Sequence, residues 1–120
     1  MPADESFNVV FQRLKSILQP YAGSLTVTAD TNAAFSLDGP YSETWKRNLF
    51  FGAAQVRKNY VSFYLMPVYM FPELLKDMSP ELKKHMQGKS CFNFKKAEPA
   101  LFEELAALTR KGYARFEEET

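Results

Sequence analysis

The sequence is poor in two residue types that often build reactive sites. Its 120 residues include one cysteine, Cys91, and one histidine, His85. A single cysteine excludes an internal disulfide, and such low cysteine use is typical of the reducing cytoplasm. We therefore expect a cytoplasmic protein that has no internal disulfide.

An excess of charge of one sign and long apolar runs are also missing. The 15 Lys and Arg residues against 14 Asp and Glu give a net charge of +1. That charge is too small to attract nucleic acid, which we exclude as a partner. The longest aromatic and aliphatic run, residues 60–71, falls short of the ~20 apolar residues of a membrane helix. The opening MPADESF has no basic or apolar segment, so we expect no signal peptide and no membrane contact.

Aromatic residues, in contrast, are plentiful. The 11 Phe and 6 Tyr side chains supply a large core for a single domain over residues 1–120. Apolar residues at helical spacing predict a helix over residues 4–19, and Pro99 opens a second at the C-terminus. Between them, the pattern predicts four strands, two short helices and a last strand. We expect Gly39–Pro40 to close the second strand and Gly88 to end the second short helix.

This order of elements, α-β-β-β-β-α-α-β-α, indicates the fold class. Strands joined by short turns form an antiparallel sheet, and amphipathic helices bury their apolar sides against it. We therefore predict an α+β sandwich with about five antiparallel strands. The N-terminal and C-terminal helices should pack on one face of that sheet.

Lys58 and Asn59 separate two strand-like segments and predict a two-residue hairpin turn. In the resulting register Val56 pairs with Val61, and successive residues alternate between two faces of the sheet. The core face would carry Gly52, Ala54, Val56, Val61, Phe63, Leu65, Phe92 and Phe94. The open face would carry the candidate binding residues Gln55, Arg57, Tyr60, Ser62, Tyr64, Asn93 and Lys95, together with Phe51, Ala53 and Cys91.

This open face has three interpretations that the residues alone leave open. Polar groups that converge among aromatic rings are typical of a small-ligand site, and here Arg57 and Lys95 would hold a small anion between them. Tyr and Arg are also the residues of interface hot spots, which favours a protein partner or self-association as a homodimer. Finally, strand propensity alone places Tyr on a solvated sheet.

Two segments carry a resemblance to a known family. YVSFYLMP, residues 60–67, resembles the strand motif of the YdhG-like family of small bacterial domains, although that motif often begins with His. MQGKSCFNFKK, residues 86–96, resembles the family's Gly-Lys-Gly-Cys-Ile-Arg-Phe segment, with Ser90 replacing a Gly and Asn93 replacing the Arg. The likeness runs through nearly the whole chain.

The resemblance implies a fold similar to frataxin, with two helices on one face of an antiparallel sheet. One family member is described as an intracellular iron chaperone, so the resemblance also implies iron as a cofactor or cargo. Frataxin-type iron binding uses carboxylates of the first helix and the following strand edge. On the first helix of this chain, Asp4 and Glu5 are the candidate metal ligands.

No motif indicates catalysis. Residues 88–90, GKS, match the end of a phosphate-binding loop but lack its earlier glycine, since Lys83 stands there. His85 lies among lysines and is expected to be solvated. Cys91 is expected to be an inert strand residue rather than a thiolate activated by Lys89 or Lys95.

The carboxylates of the last helix, at Glu103, Glu104 and residues 117–119, are expected on its solvated side. The sequence therefore favours a non-enzymatic binding protein, with no catalytic residue named.

Overall fold

The chain folds into a six-stranded antiparallel sheet in the order β1-β2-β3-β4-β6-β5. The computed structural model describes residues 2–43 and 46–119, and for residues 2–6, 42, 47 and 119 it describes the backbone alone. The strands are β1 Thr26–Asp30, β2 Ala34–Ser42, β3 Arg47–Val56, β4 Val61–Leu65, β5 Met86–Gln87 and β6 Cys91–Phe94. The α+β class and the antiparallel sheet are thus as predicted.

One long helix precedes the first strand and another follows the last strand, while two short helices lie between β4 and β5. The helices are α1 Pro2–Leu18, α2 Met66–Met70, α3 Pro80–Lys83 and α4 Pro99–Glu119, with 3-10 helices at Gln19–Tyr21 and Pro72–Leu75. Pro99 opens α4 as expected, because proline suits a first helical turn. None of the helices in the described ranges is long and apolar enough to cross a membrane.

Both long helices pack against the core face of the sheet. Val10, Phe11, Leu14 and Leu18 of α1 are fully buried, and they form one cluster with buried residues of the strands and of α4. From the sheet, Val61, Phe63 and Leu65 join this cluster with the predicted Phe92 and Phe94. Burial of the Phe rings and the aliphatic side chains of this cluster stabilises the fold.

The predicted hairpin register is confirmed. Val56 pairs with Val61, Gln55 with Ser62 and Ala54 with Phe63. The backbone N–H of Arg57 donates to the Tyr60 carbonyl across 2.8 Å, which closes the turn at Lys58 and Asn59. The alternation of β4 therefore separates a core face from an open face, as the sequence indicated.

Phe51, however, was wrongly assigned to the open face. Leu37 pairs with Gly52, but the next residue, Asp38, pairs with Phe50. Phe51 is therefore the extra residue of a β-bulge, which turns two consecutive residues of β3 towards the same side. Its ring is fully buried and packs against α4 through Phe116, with 5.1 Å between the ring centres.

Gly39 and Pro40 do not close a strand, contrary to the prediction. β2 continues through them to Ser42, and the pairing with β3 is irregular between Asp38 and Tyr41. A proline is tolerated in a strand where the ladder is interrupted, since it has no N–H to donate. Gly39 is buried because the ring of Phe116 lies directly against its α-carbon.

The sheet also has one strand more than the approximate count predicted. Gly88 does not end a helix, since α3 already ends at Lys83. Instead it lies between β5 and β6 with a φ of 74°, a left-handed conformation that glycine adopts without strain. β5 has two residues and pairs with β6, so too few residues alternate for sequence to reveal it.

We predict that Gly39→Ala lowers the free energy of unfolding by about 1–3 kcal/mol, as other overpacked cores do. An added Cβ would lie 2.5 Å from Cε2 of the buried Phe116 ring, so that ring or the strand must move. Urea denaturation measures the change.

The matched control is Gly23→Ala, because a Cβ at Gly23 has no neighbour within 4 Å. We expect this variant to stay within about 0.5 kcal/mol of the wild type. Equal stabilities of the two variants would contradict the close packing of α4 on β2.

Candidate functional site

The open face is the side of the sheet opposite α1 and α4. Ser62 pairs with Gln55 on one side and with Asn93 on the other, so these three predicted residues form one row across β3, β4 and β6. The next row contains Ala53, Tyr64 and Cys91. Ser62 and Ala53 are buried between larger neighbours, with 1% and 2% of their surface exposed. The centre of the face is therefore small and flat.

The Ser62 hydroxyl and the Cys91 thiol at this centre both bind the oxygen of the Asn93 amide. The Ser62 hydroxyl donates to Oδ1 of Asn93 across 2.8 Å, and the Cys91 thiol donates to the same oxygen across 3.4 Å. These two donors orient the Asn93 amide, because its oxygen must face them. No group in the described part of the chain accepts a hydrogen bond from its Nδ2.

Arg57 and Tyr64 form a fixed pair on the same face. The Arg57 guanidinium donates from Nη2 to the Tyr64 hydroxyl across 2.6 Å, and its carbon lies 5.9 Å from the ring centre. This hydrogen bond raises the pKa of Arg57 further above its already high ordinary value. An exposed cation is thus held over a half-buried ring.

Lys95 and Tyr60 lie one row beyond Val61 and Phe94, which pair with each other. They border a groove of about 700 Å³ at this end of the sheet. The groove is lined by Asn59, Tyr60, His85, Gln87, Asn93, Lys95, Lys96 and Glu98. Three predicted site residues, Tyr60, Asn93 and Lys95, therefore meet there.

Arg57 is not among the described residues that line this groove, and its guanidinium donates to the Tyr64 hydroxyl. The arrangement in which Arg57 and Lys95 hold a small anion between them stays a prediction. The groove has two lysines, Lys95 and Lys96, and Lys96 was not among the predicted site residues.

His85 was expected to be solvated, and this expectation is wrong. Its backbone carbonyl accepts from the Asn93 N–H, while its own N–H donates to Leu82 at the end of α3. The backbone N–H of His85 is therefore not available to the Asn93 carbonyl, and the ring takes its place, since Nδ1 lies 2.8 Å from that carbonyl oxygen. An imidazole nitrogen thus extends the short pairing of β5 along the edge of β6 and satisfies an edge carbonyl.

The other contacts of His85 link the sheet edge to α4. The ring stacks on Phe94 with 4.5 Å between centres, and Nε2 lies 3.0 Å from Oε2 of Glu98, the residue before the helix. Both partners are fixed by the fold and are not local in sequence. A lone histidine among lysines therefore carried no signal for them.

The surroundings of Cys91 disfavour its thiolate form, in keeping with the prediction of an inert cysteine. It is half-buried, and burial raises the pKa of its thiol more than Ser62, Tyr64 and Arg57 lower it. A raised pKa reduces the thiolate fraction at neutral pH, which is the reactive form.

Glu104 departs from the prediction of a solvated acidic helix side. Its carboxylate accepts hydrogen bonds from the Ser79 N–H and hydroxyl across 2.7 and 2.6 Å. Ser79 in turn accepts from the Leu82 N–H as the N-terminal cap of α3. This carboxylate therefore anchors α3, while Glu103 and Glu118 are exposed as expected.

The candidate metal ligands Asp4 and Glu5 lie in the first turn of α1, but their side chains are outside the described residues. Within the part whose side chains are described, no group of three or more His, Cys, Asp or Glu could hold a metal ion.

Comparison with known proteins adds no relative. No family model, curated protein or solved structure matches the chain. The resemblance to the YdhG-like family therefore stays a prediction.

We predict that native Cys91 reacts with iodoacetamide on the order of tenfold more slowly at pH 8 than the urea-unfolded chain, through lower thiolate content and restricted access. Because folding raises the pKa of the thiol, the pH at which the reaction rate increases should be higher for the native chain than for the unfolded chain. Since the chain has one cysteine, mass spectrometry follows this site without ambiguity. A native rate equal to or above the unfolded rate would contradict the packing of β6.

Proposed function

We propose that this protein is a non-enzymatic binding protein whose open face binds a protein partner. The observation that supports this most is the fixed Arg57–Tyr64 pair on a sheet face opposite both long helices. A partner that meets a pre-ordered side chain loses less conformational entropy on binding. Arg and Tyr are residues on which interface energy concentrates.

The chemistry of the face suggests the kind of partner. Arg57 and Lys95 are exposed cations, whereas the central Ser62 and Asn93 already satisfy each other. The face therefore offers a flat, neutral centre with a positive rim. We propose a partner that presents a flat surface with a carboxylate opposite Arg57, since such a pair favours correct orientation on encounter.

Membership of the YdhG-like family, a frataxin-like fold and a cytoplasmic location belong to this proposal. The two long helices on one face of an antiparallel sheet support the likeness of fold. Iron delivery is a prediction of the resemblance alone. It would use Asp4 and Glu5, and a ferrous-iron titration followed at these residues by NMR tests it.

The test of the open face is a double substitution, Arg57→Glu with Tyr64→Ala. Tagged protein is recovered from the cells that naturally make it, and partners are quantified by mass spectrometry. Loss of two hot-spot contacts should lower recovery of a specific partner about tenfold or more. Circular dichroism verifies that the variant is folded.

Lys76→Glu with Tyr41→Ala is the matched control, because both residues are exposed and neither is a candidate binding residue of the open face. It should retain the same partner. If the folded Arg57 and Tyr64 variant keeps every partner, the proposed docking face is wrong.

A second copy of the chain is the alternative occupant, and one observation favours it. Asp38 pairs with Phe50 near the opposite end of the open face from Arg57. A two-fold axis between two stacked faces would place Arg57 of each copy over the Asp38 end of the other. Such an isologous contact is self-complementary in charge.

Sedimentation equilibrium separates this alternative from a foreign partner. Arg57→Asp and Asp38→Arg should each weaken a dimer about fivefold or more, and the two together should restore it, since the pair is only exchanged. A wild-type protein that stays monomeric at millimolar concentration would exclude the homodimer.

A further inference from the structure

The groove at the end of the sheet is rich in hydrogen-bond donors. Lys95 and Lys96 supply two ammonium groups, and neither has an ion-pair partner among the described residues. Asn59 and Gln87 add exposed side-chain amides, and Tyr60 adds a hydroxyl. A concave site with convergent donors is suited to an anionic ligand.

Asn93 contributes a donor whose orientation is already set. Its Oδ1 accepts hydrogen bonds from Ser62 and Cys91. The amide nitrogen, Nδ2, therefore remains available to donate to a ligand in the groove. Because the side chain is held from behind, little conformational entropy is lost when a ligand accepts from Nδ2.

The carboxylate of Glu98 would oppose an anion, but it is engaged. Nε2 of His85 lies 3.0 Å from its Oε2, while Nδ1 of the same ring lies against the Asn93 carbonyl oxygen. Stacking on Phe94 fixes the ring between these two oxygen atoms. Because both oxygen atoms are acceptors, both ring nitrogens donate at once only when the imidazole is protonated. Protonated His85 is then a positioning residue that pairs with the Glu98 carboxylate at the wall of the groove.

We propose that this groove binds a small organic molecule through a dianionic phosphate group, with Lys95 and Lys96 as its cationic contacts. Two ammonium groups match the charge of a phosphate monoester, and its three terminal oxygens accept from several donors at once. A volume of about 700 Å³ exceeds what phosphate alone needs, so the organic part has room beside Asn59 and Gln87.

The experiment is an NMR titration of the labelled protein with inorganic phosphate and, separately, with glucose 6-phosphate at constant ionic strength. Both should shift the amides of Tyr60, Asn93, Lys95 and Lys96 saturably. We expect a Kd on the order of 1 mM for the monoester and weaker binding of inorganic phosphate. Glucose without phosphate should leave these amides unchanged.

Three variants test the assigned roles. Lys96→Gln should weaken monoester binding about fivefold, while Lys76→Gln, which removes the same charge outside the groove, should not change it. Glu98→Gln should tighten binding about threefold, because a like charge is removed from the wall. Damage to the fold would weaken binding instead, so the direction of this change is diagnostic.

His85→Ala should weaken binding by releasing the Glu98 carboxylate, and adding Glu98→Gln should restore it. If the double variant binds as tightly as Glu98→Gln alone, so that His85→Ala has no effect in that background, His85 acts through Glu98 rather than through the fold. Shifts that stay linear up to about 50 mM phosphate, or that Lys96→Gln leaves unaltered, would overturn the proposal. Equal affinity for inorganic phosphate and the monoester would overturn the proposal that the groove also binds the organic part of the ligand.

This site and the partner face share Lys95 and Asn93, but Arg57 and Tyr64 belong only to the face and Lys96 only to the groove, so the two proposals can fail independently. Arg57→Glu with Tyr64→Ala removes neither lysine from the groove and should leave the phosphate titration unchanged. Lys96→Gln should leave partner recovery unchanged. Loss of both activities in either variant would contradict the assignment of two distinct binding functions.

Discussion

The two-residue turn at Lys58 and Asn59 is the constraint on which the rest of the structure depends. It is closed by the Arg57 N–H and the Tyr60 carbonyl, and it sets the register of β3 on β4. Since side chains alternate along a strand, a slip by one residue would move Phe63 to the open face and Tyr64 into the core. One local turn therefore determines both the packing of α1 and the composition of the open face.

The two candidate sites differ in how their polar groups are satisfied. On the open face, Ser62 donates to Oδ1 of Asn93 and Arg57 donates to Tyr64, so these donors are already paired. In the groove, the lysine side chains and the Asn93 amide nitrogen have no acceptor among the described residues. The first arrangement suits a flat partner, whereas the second suits a small ligand that brings its own oxygen atoms.

The features that local sequence patterns determine were predicted correctly. The alternation around Tyr64 and the turn before Tyr60 predicted the face, and helical spacing predicted α1 and α4. Phe51 and Gly39 were misplaced, because a β-bulge and a close helix are consequences of packing between distant segments. His85 was missed for the same reason: Asn93 and Glu98 become its partners through the β5–β6 pairing and the start of α4.

Cross-strand nuclear Overhauser effects are the most direct measurement of the central claim, that the register of β3, β4 and β6 creates an open binding face. The account predicts contacts that join Gln55 to Ser62 and Ser62 to Asn93 across the sheet. Contacts from Gln55 to Val61 or Phe63 as directly opposed partners would reveal a one-residue slip. Such a slip would bury Tyr64 and contradict the account.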